Sequence, residues 1–414
     1  MEVKGGKPLK GDFDVQPSKN AVLPILASTI IANDKCRLHP VVKISDVDVA
    51  VGILEKLGAK CSWENGGINV DTRSINSYSI DFNSSKKMRA SVLFLGALLA
   101  RFGKAKVYLP GGCKIGKRPI DFHLAGFESL GFQCRYHKDG LIEVFYDKRK
   151  DKQHEKIVNM VGVSVGATEN ILMASMFFHN NVTIHNAARE PEIISLCKAL
   201  KKYGAKIKGA GSSSLYVEHN SLSGARIKIP SDRIVAGTFA CCLLSSRGSG
   251  KIRNYPFDDL ESFTALIQSM GAKVTRDKND IFIKSPKSIK AINFQTGPHP
   301  AFPTDLQPLV SAVLCKAKGV SRIVETVFEK RFLHLKQLRK MGANVIIKNQ
   351  ECIIEGVENL NSAELNSTDL RCAAALIVAA LSEGKKCTIF DKGHLKRGYY
   401  NFIEQLKRNG VKIS

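Results

Sequence analysis

The sequence predicts an α/β protein built from six copies of one supersecondary unit, grouped as two similar lobes of three. The first observation is a helix that ends in glycine and runs into a short strand. It occurs in LEKLGAKCSWENGGINV, FESLGFQCRYHKDGLIEV, CKALKKYGAKIKGAGSSSLYV, LIQSMGAKVTRDKNDIFI, LRKMGANVIIKNQECII and LKRNGVKIS, and in the first five a turn and a second strand follow. The second is spacing: Gly58, Gly131, Gly204, Gly271, Gly342 and Gly410 lie 73, 73, 67, 71 and 68 residues apart, too far for a solenoid of small repeats. The third is length, because 414 residues exceed what one core usually organises.

Each element follows from its pattern. In SDVDVAVGILEKLG, Val47, Val51, Leu54 and Leu57 recur at helical spacing, Ser45 is the candidate N-cap and Gly58 the stop. DFHLAGFESLG repeats the design with Phe127 and Leu130. ATENILMASMFF and DLRCAAALIVAAL are apolar nearly all round, so such helices are expected inside each lobe with the sheets outside them. The division should fall between Gly204 and Gly271, near IKIPSDRIVAG, where Pro230 and Ser231 interrupt the pattern. Two similar lobes would leave a cleft, a usual place for a small-molecule site.

Composition narrows the function. The longest apolar run, Cys372 to Leu381, is too short to span a bilayer and reads as a buried helix. MEVKGGKPLKGDFDV lacks the apolar core of a signal peptide, so the expected location is the cytoplasm, with no membrane partner. Eleven cysteines without a CxxC pair suggest neither a zinc ribbon nor a disulfide framework; Cys241, Cys242 and Cys372 read as core fillers. Ten histidines without an HExxH pattern suggest no metal site. GSGK, Gly248 to Lys251, lacks the spacing of a phosphate-binding loop. The net charge of +24 suggests an anionic partner: nucleic acid, a membrane surface or a phosphorylated metabolite. Basic residues are nevertheless mixed with acids, and YDKRKDKQHEK, Tyr146 to Lys156, reads as a solvated linker. Only 7% of residues are aromatic and no ribonucleoprotein motif occurs, which disfavours nucleic acid.

Several polar stretches are not needed by the repeat. LPGGCKIGKRPIDFH sets Cys113 in a glycine loop with Lys114, Lys117 and Arg118 behind it, and these cations favour the reactive thiolate. QPSKNAVLPI places Lys19 and Asn20 just before an apolar helix. SVGATENI places Ser164, Val165 and Gly166 at a helix start, where free N–H groups can hold phosphate oxygens. NAAREPEI contributes Arg189 and Glu190, and TGPHPAFPTDLQ delivers Thr304 and Asp305 to another helix start. ETVFEKRFLH, STDLRCAAAL and HLKRGYY present Arg331, Arg371 and Arg397. Taken singly these have ordinary readings: a free cysteine on a solvated loop, a surface lysine, helix caps at Ser164 and Asp305, and surface ion pairs for the arginines. Cations that follow chain breaks or precede buried helices argue together for an anion site, because an unpaired charge there would be costly.

SKNAVLPI, MRAS, LPGGCKIGKRPIDFH, SVGAT, AAREPEI, HPAFPTDLQ, ETVFEKRF, TDLR and RGY occur in one order along essentially the whole chain. In that order they resemble the enolpyruvyl transferase family, in its branch acting on UDP-N-acetylglucosamine. The resemblance implies an inside-out α/β barrel of two domains, each of three βαβαββ units. One domain would be residues 19–229 and carry the Cys113 loop; the other would be residues 1–18 plus 230–414, with the active site in the cleft between them. It also implies transfer of the enolpyruvyl group of phosphoenolpyruvate to the 3-hydroxyl of UDP-N-acetylglucosamine, with release of phosphate and no cofactor. These two small molecules are the expected partners.

By the same resemblance Cys113 is the general acid on a mobile loop and the residue alkylated by fosfomycin, and Asp305 is the base for the sugar hydroxyl. Lys19, Arg118 and Arg397 match the phosphate side, and Arg331 and Arg371 the carboxylate side. Asn20, Arg89, Arg118, Pro119, Ile120, Asp121, Phe122, Ser164, Val165, Gly166, Asp305 and Val327 match nucleotide-sugar contacts, while Glu190 and Asp369 sit in matching motifs without a clear role. The chain departs from the commonest pattern at Pro17-Ser18, where a Gly-Ala pair is usual, at Gly162, where some members have lysine, and at Lys396, which replaces a frequent acid. The alternatives are a 3-phosphoshikimate carboxyvinyltransferase, which does not use this GGC loop, and a non-catalytic basic paralogue that binds a polyanion.

Overall fold

The computed structural model describes residues 1–109, 120–148, 156–219 and 221–414. They form two compact units, one from residues 17–230 and one from residues 1–16 with 231–414, each with its own buried apolar core.

All six repeat glycines have positive φ, between 86° and 120°. Each sits where a helix or its last short turn hands over to a strand, a conformation an L side chain rarely adopts, and this explains why glycine marks the repeat. The helix Ser45–Leu57 buries Val47, Val51, Leu54 and Leu57 and ends on Gly58, whose N–H bonds back to Leu54 and Glu55 carbonyls. Its start lies one residue earlier than expected: Ile44 occupies the cap without a side-chain bond, and Ser45 is already helical.

The strands form six sheets among the described residues, all with one grammar. In the first, Arg226–Lys228 runs parallel to Lys35–His39, which pairs antiparallel with Gly67–Asp71, and that strand pairs antiparallel with Lys60–Glu64. The sheet of Lys104–Tyr108, Leu141–Tyr146 and Phe132–Tyr136 keeps the antiparallel part, its parallel neighbour reduced to a bridge between Ser79 and Lys106. The last repeat completes its sheet with Glu2–Lys4, which pairs antiparallel with both Cys387–Phe390 and Lys412–Ile413. The hairpin partner that LKRNGVKIS lacks in sequence is thus supplied by the opposite end of the chain. Strands alternate inward and outward side chains, as in Ser214–Glu218, where Leu215 and Val217 are buried and Tyr216 is exposed.

Three helices that are buried nearly throughout, Lys19–Ala32, Phe94–Phe102 and Val165–Ala174, pack on one another in the unit of residues 17–230. Arg233–Ser245, Gln307–Leu314 and Leu370–Leu381 do so in the other. Close approach is enforced at Gly96, where an added Cβ would lie 2.3 Å from the Asn170 carbonyl oxygen. Cys241, Cys242 and Cys372 are core residues, and Gly248–Lys251 mostly forms the strand Ser249–Arg253. Residues 149–155 of the basic run lie outside the described residues, but Lys156 at its end is buried, with Nζ 4.9 Å from the centre of the Phe178 ring, so this end is no solvated linker. Among the described residues no helix is long and apolar enough to cross a membrane.

Polar caps open four of the buried helices. Ser18 accepts from Ala21 N–H, Ser164 from Ala167, Asp232 from Ile234 and Val235, and Asp369 from Arg371 and Cys372. The caps at Ser18, Ser164 and Asp369 therefore deliver candidate residues, Lys19, Val165 and Arg371, to helix starts, where the backbone dipoles favour anions.

Candidate functional site

In the unit of residues 1–16 and 231–414, the Pro-rich segment ends in the short turn Thr304–Leu306, which leads into Gln307–Leu314. Asp305 is the middle residue of that turn. Its carboxylate accepts from Arg331 Nη2 at 2.6 Å on Oδ1, and from Arg371 Nη2 at 2.9 Å and Nε at 3.2 Å on Oδ2. The arginines are therefore not surface ion pairs: their side chains are 3% and 5% exposed, against 26% for Asp305. Burial works against the Arg371 charge, but the Asp305 carboxylate and Tyr399 more than offset it and hold the guanidinium above its ordinary range. Two fixed cations share one carboxylate that water can reach. The buried Asp232 carboxylate acts on the Arg371 charge as well, so an incoming anion reaches these guanidinium groups by competing with Asp305 for their planar donors.

Buried polar residues that sequence reasoning did not single out support this group. Glu325, fully buried just after the strand Val320–Val324, accepts from Thr304 Oγ1 at 3.0 and 3.1 Å, Val327 N–H at 2.9 Å and Phe328 N–H at 3.1 Å. His334 Nδ1 lies 3.1 Å from the Arg331 carbonyl and therefore donates to it. Burial pushes that imidazole down to about 4, with Asp369 pulling weakly the other way, so it stays neutral. Gln16 brackets the Arg397 segment, donating to the Gly398 carbonyl at 2.9 Å and accepting from Tyr400 N–H at 2.7 Å. Arg397 closes the turn Leu395–Arg397 and is half-buried, while Val327 is exposed. Glu325 stands among the charged residues of ETVFEKRFLH and Gln16 opens QPSKNAVLPI, and neither spacing nor composition sets them apart.

In the other unit Lys19 opens its helix with Nζ 2.8 Å from Asp46, a buried carboxylate that holds the ammonium in place. Asn20 follows it on the helix, and Arg89 begins the turn Arg89–Leu93 after Met88. Ile120, Asp121 and Phe122 lie at the start of Asp121–Ser129, and Ser164, Val165 and Gly166 at the start of Val165–Ala174. His123 ties these segments together. Its Nδ1 lies 2.7 Å from Asn170 Nδ2, whose amide also donates to the Val92 carbonyl, and its ring lies 3.4 Å from where a Cβ at Gly166 would be. Burial, with the Arg89 charge adding to it, pushes this imidazole down to about 4. At Gly162 an added Cβ would lie 2.8 Å from the Phe122 ring, so a larger residue there requires the ring to move. Glu190 precedes the helix Pro191–Tyr203, and the buried Glu169 carboxyl is raised well above its ordinary value by burial and by Glu192 and Glu190. Cys113, Lys114, Lys117, Arg118 and Pro119 lie outside the described residues.

The family model described as EPSP synthase (3-phosphoshikimate 1-carboxyvinyltransferase) matches residues 3–406. UDP-N-acetylglucosamine 1-carboxyvinyltransferase 1 of Caldanaerobacter subterraneus subsp. tengcongensis is 40% identical over 99% of this chain and 98% of its own. The UDP-N-acetylglucosamine 1-carboxyvinyltransferase of Wolbachia sp. subsp. Brugia malayi is 39% identical, covering 99% and 97%, and that of Thermotoga maritima 37%, covering 100% and 98%. Among solved structures, the enolpyruvyl transferase NikO from Streptomyces tendae superposes with a TM-score of 0.89 at 21% identity, over 100% of this chain and 98% of that one. An EPSP synthase from Acinetobacter baumannii does so at 0.75 and 16%, over 100% and 99%. At such identities these two likenesses concern the fold, which is α/β in the enolpyruvyl transferase manner.

Proposed function

The chain belongs to the EPSP synthase family of enolpyruvyl transferases, and on that premise we propose that it transfers the enolpyruvyl group of phosphoenolpyruvate to the 3-hydroxyl of UDP-N-acetylglucosamine, releasing phosphate. This is the first committed step of peptidoglycan precursor synthesis. The observation that carries the choice of acceptor is 37% to 40% identity, over nearly all of both chains, to relatives bearing the name UDP-N-acetylglucosamine 1-carboxyvinyltransferase. A cytoplasmic reaction is part of this reading. So is closure of each unit into an inside-out barrel of three βαβαββ repeats, in domains of residues 19–229 and of residues 1–18 with 230–414.

In this reading the family resemblance supplies the roles. Cys113 gives a proton to the methylene carbon of phosphoenolpyruvate, which becomes a methyl group and leaves the adjacent carbon electrophilic. The sugar oxygen bonds to that carbon while its proton passes to Asp305. The Cys113 thiolate then takes a proton back from the methyl group, the carbon–oxygen bond to phosphate breaks with its electron pair, and the double bond re-forms. Lys19, Arg118 and Arg397 neutralise the departing phosphate; Arg331 and Arg371 take the carboxylate. Asn20, Arg89, Arg118, Pro119, Ile120, Asp121, Phe122, Ser164, Val165, Gly166 and Val327 contact the nucleotide sugar. The pairing of both arginines with Asp305 supports a specific order of events. The substrate carboxylate competes with Asp305 for the two guanidinium groups and takes them before the hydroxyl proton passes to Asp305.

The test is phosphate release from phosphoenolpyruvate with each acceptor in turn. Release with UDP-N-acetylglucosamine and none with shikimate 3-phosphate is expected; the reverse would assign the chain to the shikimate reaction.

A further inference from the structure

Glu325 spends a fully buried carboxylate on four short contacts to three neutral donors. Removing a carboxylate from water is costly, and among the described residues no ion pair offsets that cost here, so the hydrogen bonds must. Their placement is specific. Thr304 is the residue before Asp305, and the Val327 and Phe328 amides belong to the segment that leads to Arg331. Arg331 also donates from Nε to the Thr304 carbonyl at 3.2 Å, so the acid and one of its arginines are held from both sides of the same turn.

The two amides also fix what the segment presents outward. In a trans peptide the N–H and C=O point in opposite directions. With Phe328 N–H turned in to Glu325, the Val327 carbonyl points away from it, beside an exposed Val327 side chain.

We propose that Glu325 is a positioning residue for the transferase reaction: it fixes the Asp305 turn and the Val327–Arg331 segment in one register, so that the base and the Val327 carbonyl meet the same acceptor sugar. This rests on the transferase reading. Its contribution is to kcat, because a small displacement of a base costs rate while the anion contacts that bind phosphoenolpyruvate remain.

The experiment compares Thr304→Val, which removes the hydroxyl and keeps the shape, with Thr304→Ser, which restores it, and with Glu325→Gln. Thr304→Val should lower kcat about tenfold while KM for phosphoenolpyruvate changes less than about twofold, Thr304→Ser should recover most of the loss, and Glu325→Gln should fall between. Hydrogen exchange at the Val327 and Phe328 amides, which needs no turnover, should be slow in the unmodified protein and about tenfold faster in Glu325→Leu, with thermal unfolding confirming that each variant is folded. An active parent whose Thr304→Val variant keeps its kcat, or a Thr304→Ser variant as impaired as Thr304→Val, would overturn the proposal alone. A parent inactive with UDP-N-acetylglucosamine would instead overturn the transferase reading, and unprotected amides in that parent would overturn the positioning role as well.

Discussion

Asp305→Asn keeps the shape of the side chain and removes one charge, so it isolates what the carboxylate does for its two arginines. Three charge-assisted bonds of 2.6, 2.9 and 3.2 Å lose their anion, and guanidinium groups only 3% and 5% exposed are left facing an amide. Removing one partner of a buried pair typically costs about 3–5 kcal/mol, and the 26% exposure of Asp305 lets water soften the loss, so the low end, about 3 kcal/mol, applies. For a unit of about 200 residues this lowers the melting temperature by about 6–12 °C. Thermal unfolding at low ionic strength, with and without phosphoenolpyruvate, is the assay. The variant should melt lower and gain more from phosphoenolpyruvate than the parent does, because the added carboxylate restores the missing charge. An unchanged melting temperature, or an equal gain in both proteins, would refute the claim that Asp305 and the substrate carboxylate compete for the same cations.

His334 makes the stability of its unit depend on pH. Burial lowers its native pKa to about 4, so the unfolded chain takes a proton that the native one refuses, and stability falls as pH drops from the unfolded value of 6.5 towards 4. Between pH 7.5 and 5.5 the loss is about 1.4 kcal/mol, and His334→Asn, which keeps a donor near Nδ1, should remove that part of the pH dependence in denaturant titrations; parallel curves for both proteins would contradict it. Cys113→Ala should lower turnover at least about a hundredfold and abolish the mass increase on fosfomycin treatment. Multiple turnovers at the parent rate would remove Cys113 from the reaction.

What the sequence displayed and what it concealed have physical causes. The six glycines were legible because positive φ admits little else, and the buried helices because an apolar surface all round has no exposed alternative. The role of Glu2–Lys4 was not, since three residues carry no period and their partners lie at the far end of the chain. In the candidate site, Asp305, Arg331 and Arg371 each stood out by motif, but their mutual pairing spans 26 and 66 residues and has no spacing signature. Glu325, His123 and His334 were passed over because a buried polar residue is recognisable only by the partners that satisfy it, and those come from other segments. His123 closes LPGGCKIGKRPIDFH, the stretch that carries Cys113.

The acceptor and the protonation step are both read from the reaction of phosphoenolpyruvate and UDP-N-acetylglucosamine in deuterated water, followed by NMR of the product. Protonation of the methylene carbon and later loss of a proton from the resulting methyl group exchange solvent hydrogen into the product. The expected product is a 3-O-enolpyruvyl nucleotide sugar with deuterium on its vinyl carbon. No nucleotide-sugar product, or a product whose vinyl carbon carries only hydrogen, would contradict the proposed reaction.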